Sequence, residues 1–104
     1  MLGMKVLFIC NQGQHRSKTA GEIFRDRFEA KSAGLYNSQP VTKRQLSWAD
    51  TIIVMEDSRR TEIAERFPTI YLQKRILSFD IPDIYRWNQP ELINLLKSKM
   101  DDLL

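Results

Sequence analysis

A single cysteine and a single histidine stand in this 104-residue chain. One thiol excludes an internal disulfide framework and fits a reducing cytoplasm. It also excludes a Cys-rich zinc site, and one histidine cannot replace the missing ligands. No apolar run approaches the roughly 20 residues that cross a bilayer, so no helical membrane span is expected. The opening "MLGMKVLFIC" makes a poor secretory signal, because its lysine interrupts the apolar run and no small-residue cleavage site follows. Repeats, low-complexity tracts and linkers are missing too. The 16 Lys and Arg residues exceed the 13 acids but form no block, so the net charge of +3 suits anionic substrates and argues little for nucleic acid. What remains is one domain, residues 1–104, whose 42% apolar content is enough for a single buried core.

The pattern along the chain alternates strands and helices. "KVLFIC" (5–10) and "TIIVM" (51–55) are short apolar runs rich in strand formers, the mark of strands buried on both faces. Ser17 to Ala30 reads as a helix, with Ala20, Ile23, Phe24 and Phe28 on its inner stripe and Ser17 as N-cap. "AKSAGLY" (30–36) is a weaker extended stretch, followed by the loop "NSQP" and a short helix around Thr42 to Ala49. Asp57 to Phe67 is helical and closed by Pro68. "TIYL" and "RILSF" compete for the last strand, with the second better placed. A final amphipathic helix starts at Pro90 and carries Leu92, Ile93, Leu96, Met100 and Leu103. This order predicts an α/β three-layer sandwich: a four-stranded parallel sheet flanked by helices. Ligands of such sheets sit beyond the carboxyl ends of the strands, where Cys10 lies.

The octapeptide "CNQGQHRS" (10–17) follows the first strand and opens the first helix. A thiol attacks only as thiolate, and three features here favour that anion. They are the free N–H groups and dipole of the helix start, the fixed charge of Arg16, and the Ser17 hydroxyl. The residues Asn11, Gln12, Gly13, Gln14 and His15 suffice to wrap backbone N–H groups around one tetrahedral oxyanion.

Cysteine, five residues, arginine, then serine, directly after an N-terminal strand, resembles the phosphatase loop of the low-molecular-weight protein tyrosine phosphatases. The likeness runs through "RSKTAGEIF", "KSAG" (31–34), "WADTIIVMEDSRR" and "IPDIYR" (81–86). It implies a phosphatase with Cys10 as nucleophile, Arg16 as clamp and Ser17 beside the sulfur, working through a phosphocysteine and needing no metal or cofactor. Asp83, within "IPD", would protonate the leaving oxygen, with Asp80 as the runner-up. The substrate implied is a phosphotyrosine protein or a small aryl phosphate, and inorganic phosphate or sulfate would also fit the loop. Tyr36, Tyr85 and Trp87 are candidates to wall the pocket, and Trp48 for the core.

Several positions depart from the family's pattern. Gln12-Gly13 replaces a Gly-Asn pair, which keeps a residue tolerant of left-handed backbone but removes the Asn side chain that ties the loop to its neighbours. His15 replaces a second cysteine and is expected to point away from the site. Lys18 replaces a proline, and Ile84 stands where proline usually follows the acid. Two other readings of the loop stay open: a catalytically impaired phosphate- or phosphoprotein-binding module, and a phosphotransfer component of the IIB type. Arg16 argues against the second.

Overall fold

The two inner strands form where apolar runs leave no polar face to turn to solvent, while the two edge strands keep exposed polar positions. The computed structural model describes residues 4–103. β1 (Lys5–Cys10) pairs with β2 (Glu29–Gly34) on one side and β3 (Thr51–Val54) on the other, and β4 (Arg75–Ser78) joins β3. All pairs are parallel, in the order β2-β1-β3-β4. The strand period of two sends Val6, Phe8 and Cys10 to one face of β1 and Leu7 and Ile9 to the other.

Each face is covered. α1 (Arg16–Ile23) and α5 (Pro90–Leu103) pack on the first, where Ala20, Phe24, Leu92, Leu96 and Met100 meet Phe8, Ile53 and Phe79. α2 (Lys43–Trp48), α3 (Ser58–Arg66) and α4 (Pro68–Gln73) cover the second through Leu46, Ile63 and Ile70. Burial of these side chains supplies roughly 1.5–3 kcal/mol for each Leu, Ile or Phe. α2 starts with a full capping box, Thr42 and Gln45 each satisfying the other's backbone N–H.

Two expectations about the first helix are corrected, and of the two candidates for the last strand the favoured "RILSF" holds it. The first helix ends at Ile23 rather than Ala30, because the chain must turn back so that Glu29 N–H can reach the Met4 carbonyl (2.9 Å) and start β2. Phe28 stays buried beyond the helix end, which explains why it kept the helical stripe in phase. "TIYL" is helical, with Pro68 in its first turn; only Ile70 is buried, and Leu72 is 84% exposed, so the segment has one inner face instead of two. Ser17 is not the N-cap, a place held by His15 without any side-chain cap bond. Trp48 is half-buried, with the Lys31 ammonium 4.5 Å above its ring.

Candidate active site

Cys10 ends β1 opposite Gly34 of β2, and the chain then loops through residues 11–15 into α1. Gly13 adopts φ +71°, the left-handed region that a glycine enters freely. A Cβ there would stand 2.9 Å from the Gly34 nitrogen, and a Cβ on Gly34 would stand 2.5 Å from the Gln12 carbonyl carbon. Loop and strand therefore touch backbone to backbone. Asn37 Nδ2 donates to the Gln12 carbonyl (3.0 Å), so a tie to this loop comes from outside it. Gly34→Ala is expected to displace the loop and cost about 1–3 kcal/mol, the usual penalty of overpacking. Thermal denaturation and inorganic phosphate titration of the variant check this; unchanged stability and phosphate affinity would contradict it.

The Cys10 sulfur is buried, 3.2 Å from the donating Gly13 N–H and 3.0 Å from Ser17 Oγ. Ser17 Oγ also lies 3.3 Å from the Ala33 carbonyl. With a thiol, S–H can point at Oγ while the hydroxyl proton goes to Ala33. With a thiolate, the same hydroxyl can turn its proton to the sulfur. Ser17 thus serves the sulfur instead of the helix. Among the described residues, the N–H groups of Gln12, Gln14 and His15 engage no protein acceptor. Free donors at a helix start are what an oxyanion requires.

Arg16 is 1% exposed. Its Nη1 donates to Glu56 Oε1 (2.9 Å) and to the Ile81 carbonyl (2.7 Å), while Nη2 lies 3.7 Å from Asp83 Oδ1. Sequence reasoning gave Glu56 no role. The available signal was a carboxylate two places past the end of β3, the strand beside β1.

Cys10, Arg16 and Asp83 meet around a cavity of about 50 Å³, completed by Asn11, Gln12, Gln14 and His15. A dry cavity of about 150 Å³ admits a benzene ring. This one suits a phosphoryl group and leaves the rest of a substrate at the mouth, beside Asp83. Larger hollows of about 260 and 330 Å³ flank Lys31 and Trp48, but carry no thiol. Asp80 does not line the cavity: it takes φ +51° and hydrogen-bonds Ser78 (3.1 Å). His15, expected to point away, lines the cavity, and its Nδ1 accepts the Trp87 N–H (3.1 Å).

No family model matches the chain, and no curated protein matches it by sequence. Solved structures do match. A low-molecular-weight phosphotyrosine phosphatase from Vibrio cholerae O395 superposes with TM-score 0.78 at 20% identity, over 97% of this chain and 94% of that one. The tyrosine phosphatase Wzb from Escherichia coli K30, solved with phosphate, gives 0.76 at 19%, over 95% and 94%. The YwlE arginine phosphatase from Geobacillus stearothermophilus gives 0.67 at 19%, over 96% and 85%. The chain has the low-molecular-weight phosphatase fold.

On this version of the low-molecular-weight phosphatase fold the three candidate aromatics stay out of the cavity lining. Tyr36 is anchored next to the loop by its N–H bond to the Asn11 carbonyl (2.8 Å), but its hydroxyl is bound to the Glu62 carboxylate. The guanidinium groups of Arg59 and Arg66 lie 5.5 and 5.1 Å from its ring. The Glu62 hydrogen bond pushes the Tyr36 phenol above its ordinary range. Burial pushes the Glu62 carboxyl up, yet the bonds from Tyr36 and Arg59 and the charges of Arg59 and Arg66 outweigh this and hold it low. Tyr85 packs into the core on the α5 face. Trp87 is drawn to α1, where Nε1 donates to Glu22 (2.5 Å) and Lys18 lies over the ring. Among the described residues no group of three or more His, Cys, Asp or Glu is clustered to hold a metal, and no helix is long and apolar enough to cross a membrane.

Proposed function

We propose that the protein is a cytoplasmic, cysteine-dependent phosphomonoesterase that hydrolyses phosphotyrosine or another aryl phosphate. One observation carries the reading: Cys10, Arg16 and Asp83 border a single phosphate-sized cavity on whose loop the N–H groups of Gln12, Gln14 and His15 engage no protein acceptor.

The Cys10 thiolate attacks phosphorus, forming the S–P bond while the P–O bond to the leaving group breaks. Protonated Asp83 gives its proton to the departing oxygen. A water then attacks the phosphocysteine, Asp83 takes the water's proton, and inorganic phosphate leaves with the thiolate regenerated. Arg16 and the loop N–H groups hold the equatorial oxygens, where charge gathers in the transition state. No metal or cofactor takes part. An aryl leaving group would rest at the cavity mouth beside Asp83.

The test is metal-free hydrolysis of p-nitrophenyl phosphate, phenyl phosphate, phosphotyrosine and phosphoarginine by the wild type. Phosphatase fold neighbours include tyrosine and arginine enzymes, so the last two substrates decide the class. Asp83→Asn is expected to lower kcat on phenyl phosphate by about 10²–10⁴-fold, the usual range for a lost general acid. The loss on p-nitrophenyl phosphate is smaller, since nitrophenolate leaves without a proton. Asp80→Asn changes little. Were Asp80→Asn the crippling change, the acid would be Asp80. Iodoacetate should alkylate Cys10 at neutral pH, with phosphate or arsenate protecting it.

A further inference from the structure

Both N–H bonds of Arg16 Nη1 are already taken, one by Glu56 Oε1 and one by the Ile81 carbonyl. A guanidinium has five N–H bonds in a rigid fork, so fixing one end leaves the Nη2 and Nε edge as the part free to face the cavity. The contacts close a circuit. Ile81 N–H donates to the Met55 carbonyl (2.7 Å), Met55 leads directly into Glu56, and Ile81 precedes Asp83 by two residues. The end of β3, the clamp and the segment bearing the acid are thereby held by three hydrogen bonds, of which two meet on one nitrogen.

We propose that Glu56 is a positioning residue for phosphoryl transfer, aiming the Arg16 fork at the equatorial oxygens and fixing the distance between the clamp and Asp83. The inference rests on the phosphatase reading above. Mere charge compensation is the alternative role. It is the weaker account, because the Glu56 side chain is one-third exposed (33%) and water screens its charge. Aim is not screened, since it depends on where an acceptor oxygen stands.

Aim and charge separate in experiment. Orthovanadate imitates the five-coordinate transition state, and inorganic phosphate resembles the ground state. Binding of both is measured for the wild type, Glu56→Ala, Glu56→Gln and Glu56→Asp, beside kcat and KM on p-nitrophenyl phosphate. Glu56→Ala is expected to weaken vanadate about tenfold or more relative to phosphate, and to lower kcat in parallel with KM little changed. Glu56→Gln restores most of this, because its amide oxygen accepts the same N–H. Glu56→Asp keeps the charge, withdraws the acceptor by one methylene, and loses the vanadate preference. Should Glu56→Ala fail to fold, the Gln and Asp variants give the same contrast.

A wild-type vanadate-to-phosphate ratio in all folded variants would overturn the proposal. So would an Asp variant equal to wild type beside a crippled Gln variant, the result that charge alone predicts. If the wild type binds both anions but turns nothing over, the phosphatase reading falls, while the affinity ratios still decide the role of Glu56.

Discussion

Cys10→Ser is expected to leave the fold intact and to reduce p-nitrophenyl phosphate hydrolysis by about 10⁴-fold or more, as loss of a covalent nucleophile does elsewhere. The substitution changes one atom in a site whose partners remain. Gly13 N–H and Ser17 Oγ can hydrogen-bond a hydroxyl as they do the sulfur, so the change in stability should stay below about 1 kcal/mol. The chemistry does not survive the swap. Loop N–H groups and Arg16 can favour a thiolate, which a thiol yields readily, but not an alkoxide. The hydrogen-bond partners at position 10 are Gly13 N–H and Ser17 Oγ, neither of them a base able to take the proton in flight, while His15 Nδ1 is bound to the Trp87 N–H. Inorganic phosphate should still bind the variant, because the cradle does not depend on sulfur. Kinetics and phosphate titration together read the outcome. A serine variant as active as the wild type would remove Cys10 from the mechanism. A wild type as slow as the variant, yet binding phosphate, would make the chain a binding module.

The parts of the fold legible in the sequence were those governed by local chemistry. Lys5–Cys10 and Thr51–Val54 are buried on both faces, and nothing but an inner strand of a parallel sheet explains such runs between helical stripes. The loop was legible because cysteine, arginine and serine at that spacing are the residue types that binding one oxyanion beside a thiolate calls for. Other features depend on where distant segments arrive. The first helix stops at Ile23 because β2 must register with β1, and that pairing joins Lys5 to Glu29, far beyond the local pattern. "TIYL" is apolar enough for a strand, and only the absence of a second covering layer makes it α4. Trp87 and Tyr36 carry rings suited to a pocket wall, but Glu22 and Glu62 hold them elsewhere. Glu56 was invisible for the same reason: it lies 40 residues from Arg16, and only the fold brings them to 2.9 Å. Gln12-Gly13 reads differently once Gly34 is placed. The loop is confined by backbone contact with β2 and by Asn37, so a glycine at position 13 is demanded by space as well as by φ.

Arg16→Lys should lower kcat by about 10²–10⁴-fold, although it keeps the charge and the burial. The guanidinium serves acceptors on two sides at once: Glu56 and Ile81 behind it, and the cavity with Asp83 at its edge in front. A lysine ammonium is a single point with three donors. Left beside Glu56 it falls short of the oxyanion, and moved toward the oxyanion it abandons the Ile81 carbonyl. Either arrangement loses the planar, two-pronged contact that matches two equatorial oxygens. Arg16→Ala goes further and removes the partner of both acceptors inside the protein, leaving the buried Ile81 carbonyl unpaired, a loss that costs about 1–3 kcal/mol. The Lys variant is therefore the informative one. Its kcat, KM and vanadate affinity, measured beside a melting curve, separate lost aim from lost folding. If Arg16→Lys keeps its activity within tenfold, charge alone suffices at this position, and the fork geometry on which both the clamp and Glu56 depend is not what drives the reaction.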